Sequence, residues 1–212
     1  KETIQSVLNQ TYTKWELIIV DDCSTDNTDD VLETIKDSRI RYFKNDKNSG
    51  AAVSRNKALR EARGQWIAYL DSDDLWMPEK LEKQIRFMEA NGYAFSYTNY
   101  EEIDVDSNKT GVKVSGPKRI TKTGMFNYCW PGCLTVMFDA SKIGIVQIHD
   151  IKKNNDYAMW LKICKKANCY LLDEFLAQYR KGRTGSVSTH SIKTMIGWHY
   201  KLFHEAEDMG MI

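Results

Sequence analysis

Proline is scarce, at three residues in 212, and glycine stops at twelve. Those counts exclude a collagen-like or proline-rich low-complexity chain. Histidine is equally thin: His149, His190, His199 and His204 form no H-x-x-x-H pair. The five cysteines (Cys23, Cys129, Cys133, Cys164 and Cys169) are odd in number and never spaced C-x-x-C. That argues against the ligand pairs of zinc ribbons and fingers. It fits free, mostly buried thiols in a reducing compartment. Charge of one sign is missing too, with 30 Lys+Arg against 29 Asp+Glu and a net charge of +1. Such balance speaks against a broad electrostatic footprint for nucleic acid. No run approaches the ~20 apolar residues of a membrane span. Lys1 to Ile4 carries no signal-peptide core, although this need not be the natural start.

What is present is globular: 42% hydrophobic and 28% charged residues. A chain of this length buries roughly 70% of its unfolded surface and needs no disulfide or metal staple. The first half alternates helix and strand. Ile4, Val7 and Leu8 mark a short opening helix. Glu16–Val20 and Trp66–Leu70 are near-continuous apolar runs, as in strands covered on both faces. Arg39–Lys44 and Tyr93–Thr98 read as further strands. Helices are expected around Val31, Leu32 and Ile35, from about Ala51 to Ala62 with a left-handed stop at Gly64, and after Pro78 with Leu81, Ile85 and Met88 inward. This rhythm predicts an α/β fold with a mostly parallel, Rossmann-like sheet flanked by helices. After about Asn99 the texture changes. Residues 104–124 are polar and read as a surface excursion. Cys133–Phe138 and Cys169–Tyr179 read as strands, Asp156–Ala167 and Ser191–Glu207 as helices, and Arg180–Ser188 as a loop.

Three acidic sites stand out: Asp21-Asp22 after one strand, Asp71-Ser72-Asp73-Asp74 after another, and Asp156 at a helix start. Ligands of open parallel sheets bind at the carboxyl ends of strands, so the first two should share one edge. Like charges gathered there are costly unless a cation or ligand joins them. Asp73, in a D-x-D arrangement, suits magnesium or manganese that also takes phosphate oxygens. The plainer alternative is that these Asp residues cap helices. Gly50 opens a helix with small residues, where free amides could face a phosphate or where a simple turn would serve. Arg55, one turn on, could bridge the acidic clusters.

Together these segments resemble the family 2 glycosyltransferases of the GT-A fold. The matching text is Ser6–Tyr12, Trp15–Thr28, Asn48–Asn56, Tyr69–Trp76 and Asn155–Leu161, five pieces in order from about Ile4 to Ser188. The resemblance implies a nucleotide-sugar-binding half over 1–98. Residues 99–212 would be a smaller acceptor-side half of the same domain, with the C-terminal helix. Asp22, in its pair with Asp21, corresponds to the residue on the nucleotide base, Asp71 to one near the ribose, and Asp73 to the metal-holding carboxylate. Gly50 and Arg55 lie in segments that support the pocket. Asp156 matches the general base, and Trp130-Pro-Gly-Cys133 the segment beside the acceptor. Arg180, Arg183 and His190 fall in the region of a loop that closes over the donor. Two departures matter. The chain opens inside the helix that follows the family's first strand, and so reads as lacking that central strand, as a truncated chain would. Asn155 stands where the family has an acidic residue.

The resemblance implies a cytoplasmic, inverting enzyme dependent on manganese or magnesium. It would move a sugar from a nucleoside-diphosphate sugar, a UDP-sugar, to a saccharide or lipid-linked saccharide in surface polysaccharide synthesis. Lys152-Lys153 and Lys165-Lys166 leave open a peripheral contact with the inner face of the membrane, and a homodimer is also open. Two other readings remain: a nucleotide-sugar-binding module without activity, and a phosphoacceptor receiver domain. Asp71 and Met77-Pro78 mimic the receiver, but the chain lacks its Lys-Pro and is about ninety residues too long. A haloacid-dehalogenase phosphatase fails because Asp74-Leu75 follows Asp73.

Overall fold

The first apolar run forms β1 (Leu17–Asp21), which pairs in parallel with β2 (Ile40–Lys44) from Leu17 opposite Ile40 to Asp21 opposite Lys44. A parallel pair needs a crossover, which here includes α2 (Thr28–Glu33). The computed structural model describes residues 1–148, 151, 153–182, 197–200 and 202–206. Ahead of β1 lies α1 (Glu2–Leu8), and after β2 comes α3 (Ala51–Glu61), which turns Ala52, Ser54 and Leu59 inward and packs on β1. Gly50 enters α3 with φ 87°, a conformation that glycine adopts without a Cβ penalty. The left-handed stop expected at Gly64 is absent. Ala62 already leaves the helix in an extended conformation, so Gly64 has no positive φ to supply.

A second sheet holds β3 (Trp66–Ala68), β4 (Leu75–Trp76), β5 (Phe95–Ile103), β6 (Lys109–Val114), β7 (Arg119–Ile120), β8 (Met137–Asp139) and β9 (Cys169–Arg180). Its order is β3-β8-β5-β9-β4, with β6 on β5 and β7 on β9. The α/β class holds, but the sheet is mixed. Only β1–β2 and β5–β9 are parallel among the described pairings, and the rest are antiparallel. The excursion after Asn99 contains much of that difference. β5 runs on to Ile103 and turns back as β6, whose residues are nearly all exposed. A strand wet on both faces has no apolar alternation to betray it. Cys133–Thr135 is a 3-10 turn, and only Met137–Asp139 is strand.

The helices that close the core obey their patterns. α4 (Lys80–Asn91) buries Leu81, Ile85 and Met88 and ends at Gly92 with φ 68°; it begins two residues later than Pro78. After α5 (Lys122–Asn127) and α6 (Ala140–Ile143), α7 (Asn155–Cys164) buries Trp160, Leu161 and Ile163 against Phe95, Phe138 and Tyr69. Tyr69 and Trp160 meet edge to face at 5.7 Å. Each such side chain contributes about 1.5–3 kcal/mol on burial, which fixes α7 and with it the position of Asp156. Of the expected terminal helix, 197–200 are helical and Leu202–Ala206 form a π-helical segment. All five cysteines are free thiols, with Cys133, Cys164 and Cys169 buried.

Candidate active site

The carboxyl end of β1 places Asp21 and Asp22 back to back. Asp21 is 6% exposed and is used up locally. It accepts from the Ser24 amide at 3.0 Å, from the Ser24 hydroxyl and from the Tyr42 hydroxyl at 3.3 Å, with Lys44 Nζ at 3.6 Å. Asp22 reaches the other way. Its Oδ1 accepts from Asn45 Nδ2 and the Ser49 amide, both at 2.8 Å, and its Oδ2 from the Gly50 amide at 2.6 Å. Desolvation raises the pKa of each carboxyl, but the hydrogen bonds together outweigh it and hold both below the ordinary carboxylate value. Asp22 therefore ties the end of β1 to the entry of α3. The Gly50 amide, which could have faced a phosphate or served a simple turn, is donated to Asp22.

The second acidic loop follows β3. Arg55, on α3, extends to it: Nη2 pairs with Asp71 Oδ1, while Nη1 donates to Asn155 Oδ1 at 2.6 Å. Arg55 thus reaches one of the acidic clusters directly, and the side-chain amide of Asn155 beside the other. It joins the D-x-D loop to the residue that precedes Asp156 in the first turn of α7. Asp156 is half-buried, and its Oδ1 accepts from the Tyr157 amide at 2.8 Å. Burial pushes its carboxyl up, while the Arg55 guanidinium opposes the rise. A carboxyl whose ionised form is disfavoured by burial binds a proton more readily than an exposed one. Asn155, 6% exposed, fills the acidic position of the resemblance with a neutral acceptor for Arg55 and adds no further charge beside Asp156.

Cys133 is buried in its 3-10 turn within electrostatic reach of Arg55, Asp71 and Asp156, and desolvation pushes its thiol well up. Trp130 is 43% exposed and lies against Tyr128, itself 59% exposed, with centroids 4.6 Å apart. Gly116 makes room for it: a Cβ there would sit 3.2 Å from Trp130 and 2.6 Å from the Tyr97 hydroxyl. Arg180 departs from its expected place in a loop. It is the last residue of β9 and is 9% exposed. Arg183 and His190 lie outside the described residues, as do His149 and Lys152. The sequence reading did not assign a role to Asp74. It is 2% exposed, and burial pushes its carboxyl up to about 7; the Arg180 amide bonded to it opposes that rise, while Asp73 and Asp71 add to it. An acidic residue beyond the two of D-x-D was the available signal. Among the described residues no three His, Cys, Asp or Glu side chains gather as a metal cage.

The model of the family described as Glycosyl transferase family 2 matches residues 1–140, which include both Asp-rich loops and Arg55. This chain belongs to glycosyl transferase family 2. The match ends before α7, but relatives extend past it. WfaP of Escherichia coli, named a UDP-Glc:alpha-D-GlcNAc-diphosphoundecaprenol beta-1,3-glucosyltransferase, is 43% identical over 194 residues, covering 92% of this chain and 76% of that protein. Solved structures share the GT-A fold of this family 2 chain. TarS of S. aureus, residues 1–349 in complex with UDP-GlcNAc, superposes with a TM-score of 0.78 at 18% identity over 97% of this chain. The mannosyltransferase PcManGT of Pyrobaculum calidifontis, in complex with GDP-Man and Mn2+, does so at 0.71 and 17% over 99%. The chain spans 60% of the length of each of those two solved chains. Family membership removes the receiver-domain reading.

Proposed function

We propose that this family 2 chain transfers a sugar from a UDP-sugar to a hydroxyl of a saccharide or lipid-linked saccharide acceptor, with inversion at the anomeric carbon, in surface polysaccharide synthesis. One observation carries the reading: Arg55 ties Asp71 of the D-x-D loop to Asn155, next to Asp156, which would hold the donor site and the base side by side. The names of WfaP and TarS supply the donor and acceptor classes. Residues 1–98 would then serve the donor and 99–212 the acceptor.

Asp22, whose carboxylate is held by Asn45, Ser49, Gly50 and Ser54, would offer an oxygen to the uracil N–H. Asp73 would hold a divalent cation with the diphosphate, and Asp71, paired with Arg55, would lie near the ribose. A carboxylate in a D-x-D loop suits magnesium or manganese, which is bound through one or two carboxylates plus substrate phosphates. When bound, that cation offsets charge on the leaving diphosphate. Asp156 removes the proton from the acceptor hydroxyl, whose oxygen forms the new bond to the anomeric carbon as the bond to the diphosphate oxygen breaks. The exposed rings of Tyr128 and Trp130 would stack on the acceptor sugar, with Cys133 in the same acceptor-side segment. Attack from the face opposite the leaving group inverts the anomer, so one base suffices.

Calorimetric titration of UDP, with manganese and then with chelator, tests the donor site. The chain should bind UDP only with the metal, and Asp73→Ala should lose that binding. Metal-independent binding, or binding unchanged in Asp73→Ala, would remove Asp73 from this role.

A further inference from the structure

The reaction outlined above leaves Arg180 without a task, yet no other side chain in the described residues ties so many segments together. Its Nε donates to the Asp73 carbonyl at 2.8 Å. Its Nη1 donates to the carbonyls of Asp104 and Val105 at 3.0 and 3.1 Å and to the Ser107 hydroxyl at 2.9 Å. Its Nη2 pairs with Glu2 Oε2 at 2.7 Å. The main chain takes part as well, since the Arg180 amide donates to Asp74 Oδ1 at 2.9 Å. The Asp73 and Val105 carbonyls are loop groups outside any strand or helix, and the Asp104 carbonyl also accepts from the Ser107 amide at 3.2 Å.

We propose that Arg180 is a positioning residue, clamping the main chain of the Asp71–Asp74 loop to the tip of the β5–β6 hairpin so that the Asp73 carboxylate is held toward the donor diphosphate. The clamp grips Asp73 from both sides, at its own carbonyl and through the carboxylate of the next residue. The far end of the clamp is firm. Asp104 Oδ1 accepts from the amides of Asp106 and Asn108 at 2.9 Å each, which closes the hairpin tip on itself. The Lys181 amide donates to the Ile103 carbonyl at 2.9 Å and locks β9 beside it. The guanidinium also brings positive charge against a loop that carries three carboxylates, easing their mutual repulsion. A planar fork is required to reach acceptors in three directions, and a lysine ammonium cannot reproduce it. Displacing a reacting group by about 1 Å costs on the order of 10²-fold, so a loosened clamp should register at the donor.

This inference rests on the proposed donor reading, and the test separates the two. Arg180→Met, Arg180→Lys and Ser107→Ala are compared with the parent chain below their melting temperatures, by manganese-dependent UDP titration and by steady-state kinetics. Manganese-linked UDP affinity should fall in the order parent, Ser107→Ala, Arg180→Lys, with the lysine variant at least tenfold weaker. The donor KM and the manganese requirement should rise while the acceptor KM stays within twofold. Ser107→Ala removes one far contact and spares the Nε bond to Asp73, so it and Arg180→Lys carry the test if Arg180→Met does not melt cooperatively. A folded Arg180→Lys with parental metal-linked affinity overturns the clamp alone. Equal loss at donor and acceptor also overturns it, because a purely structural residue gives that result. No metal-linked UDP binding in the parent overturns the donor reading and the clamp with it.

Discussion

Asp156→Asn should bind UDP as the parent does, melt at a higher temperature, and transfer sugar about 10²–10⁴-fold more slowly, the usual contribution of a general base. The two effects share one cause. Burial raises the Asp156 carboxyl above its ordinary value, and Arg55 only partly offsets that. A group raised in the fold contributes stability that is fully present below its unfolded pKa and is lost as pH rises through its folded pKa. Above its raised pKa the ionised Asp156 is therefore a burden on the fold, which the amide removes while keeping the shape. The parent and the variant should accordingly converge in melting temperature as pH is lowered. The proton-accepting form exists only above the raised pKa, so kcat/KM of the parent should climb with pH through a limb above the ordinary carboxylate range. Pyridine-free buffers across that range, with melting scans at the same pH values, provide the check. Near-parental turnover in Asp156→Asn would remove it as base.

Arg55→Met should move that acid limb further up and lower kcat/KM near neutrality by about 10²-fold, the scale of misplacing a catalytic group by ~1 Å. The arginine lowers the Asp156 pKa, so its loss leaves the rise caused by burial unopposed. It also leaves Asn155 Oδ1 without its 2.6 Å donor inside α7. The Asp71 side contributes less, because that carboxylate is 44% exposed and solvent screens it. Arg55→Lys should not rescue, since one ammonium cannot serve Asp71 and Asn155 in two directions. In the double variant with Asp156→Asn, much of the melting temperature lost in Arg55→Met should return. Additive effects of the two changes would show that Arg55 and Asp156 do not interact.

The parts of the site that sequence made legible are those written in local signals. The apolar run ending in Asp21-Asp22, the D-x-D loop after Trp66–Leu70 and the acidic start of α7 all sit where pattern and turn chemistry put them. Arg55 could be read as a bridge because a helix one turn past Gly50 has few other places to point. Arg180 could not be read, because its partners Asp73, Asp104, Ser107 and Glu2 are far from it in sequence and meet only after β5, β6 and β9 assemble. The resemblance marked Asp22, but its role as the acceptor for Ser49 and Gly50 could not be read. That role depends on β1 and α3 packing together. Gly64 misled because glycine after a helix has a plausible stopping role, which the extended Ala62 had already taken.

The most direct test of the account is the configuration of the linkage it makes. The chain is supplied with manganese, UDP-sugars whose sugar is α-linked to the diphosphate, and a lipid-diphosphate-linked saccharide, and the new anomeric proton is read by NMR. A single displacement assisted by Asp156 predicts a β-linked product with one UDP released per bond formed. An α-linked product, or UDP bound at the D-x-D loop with no transfer from any donor, would contradict it.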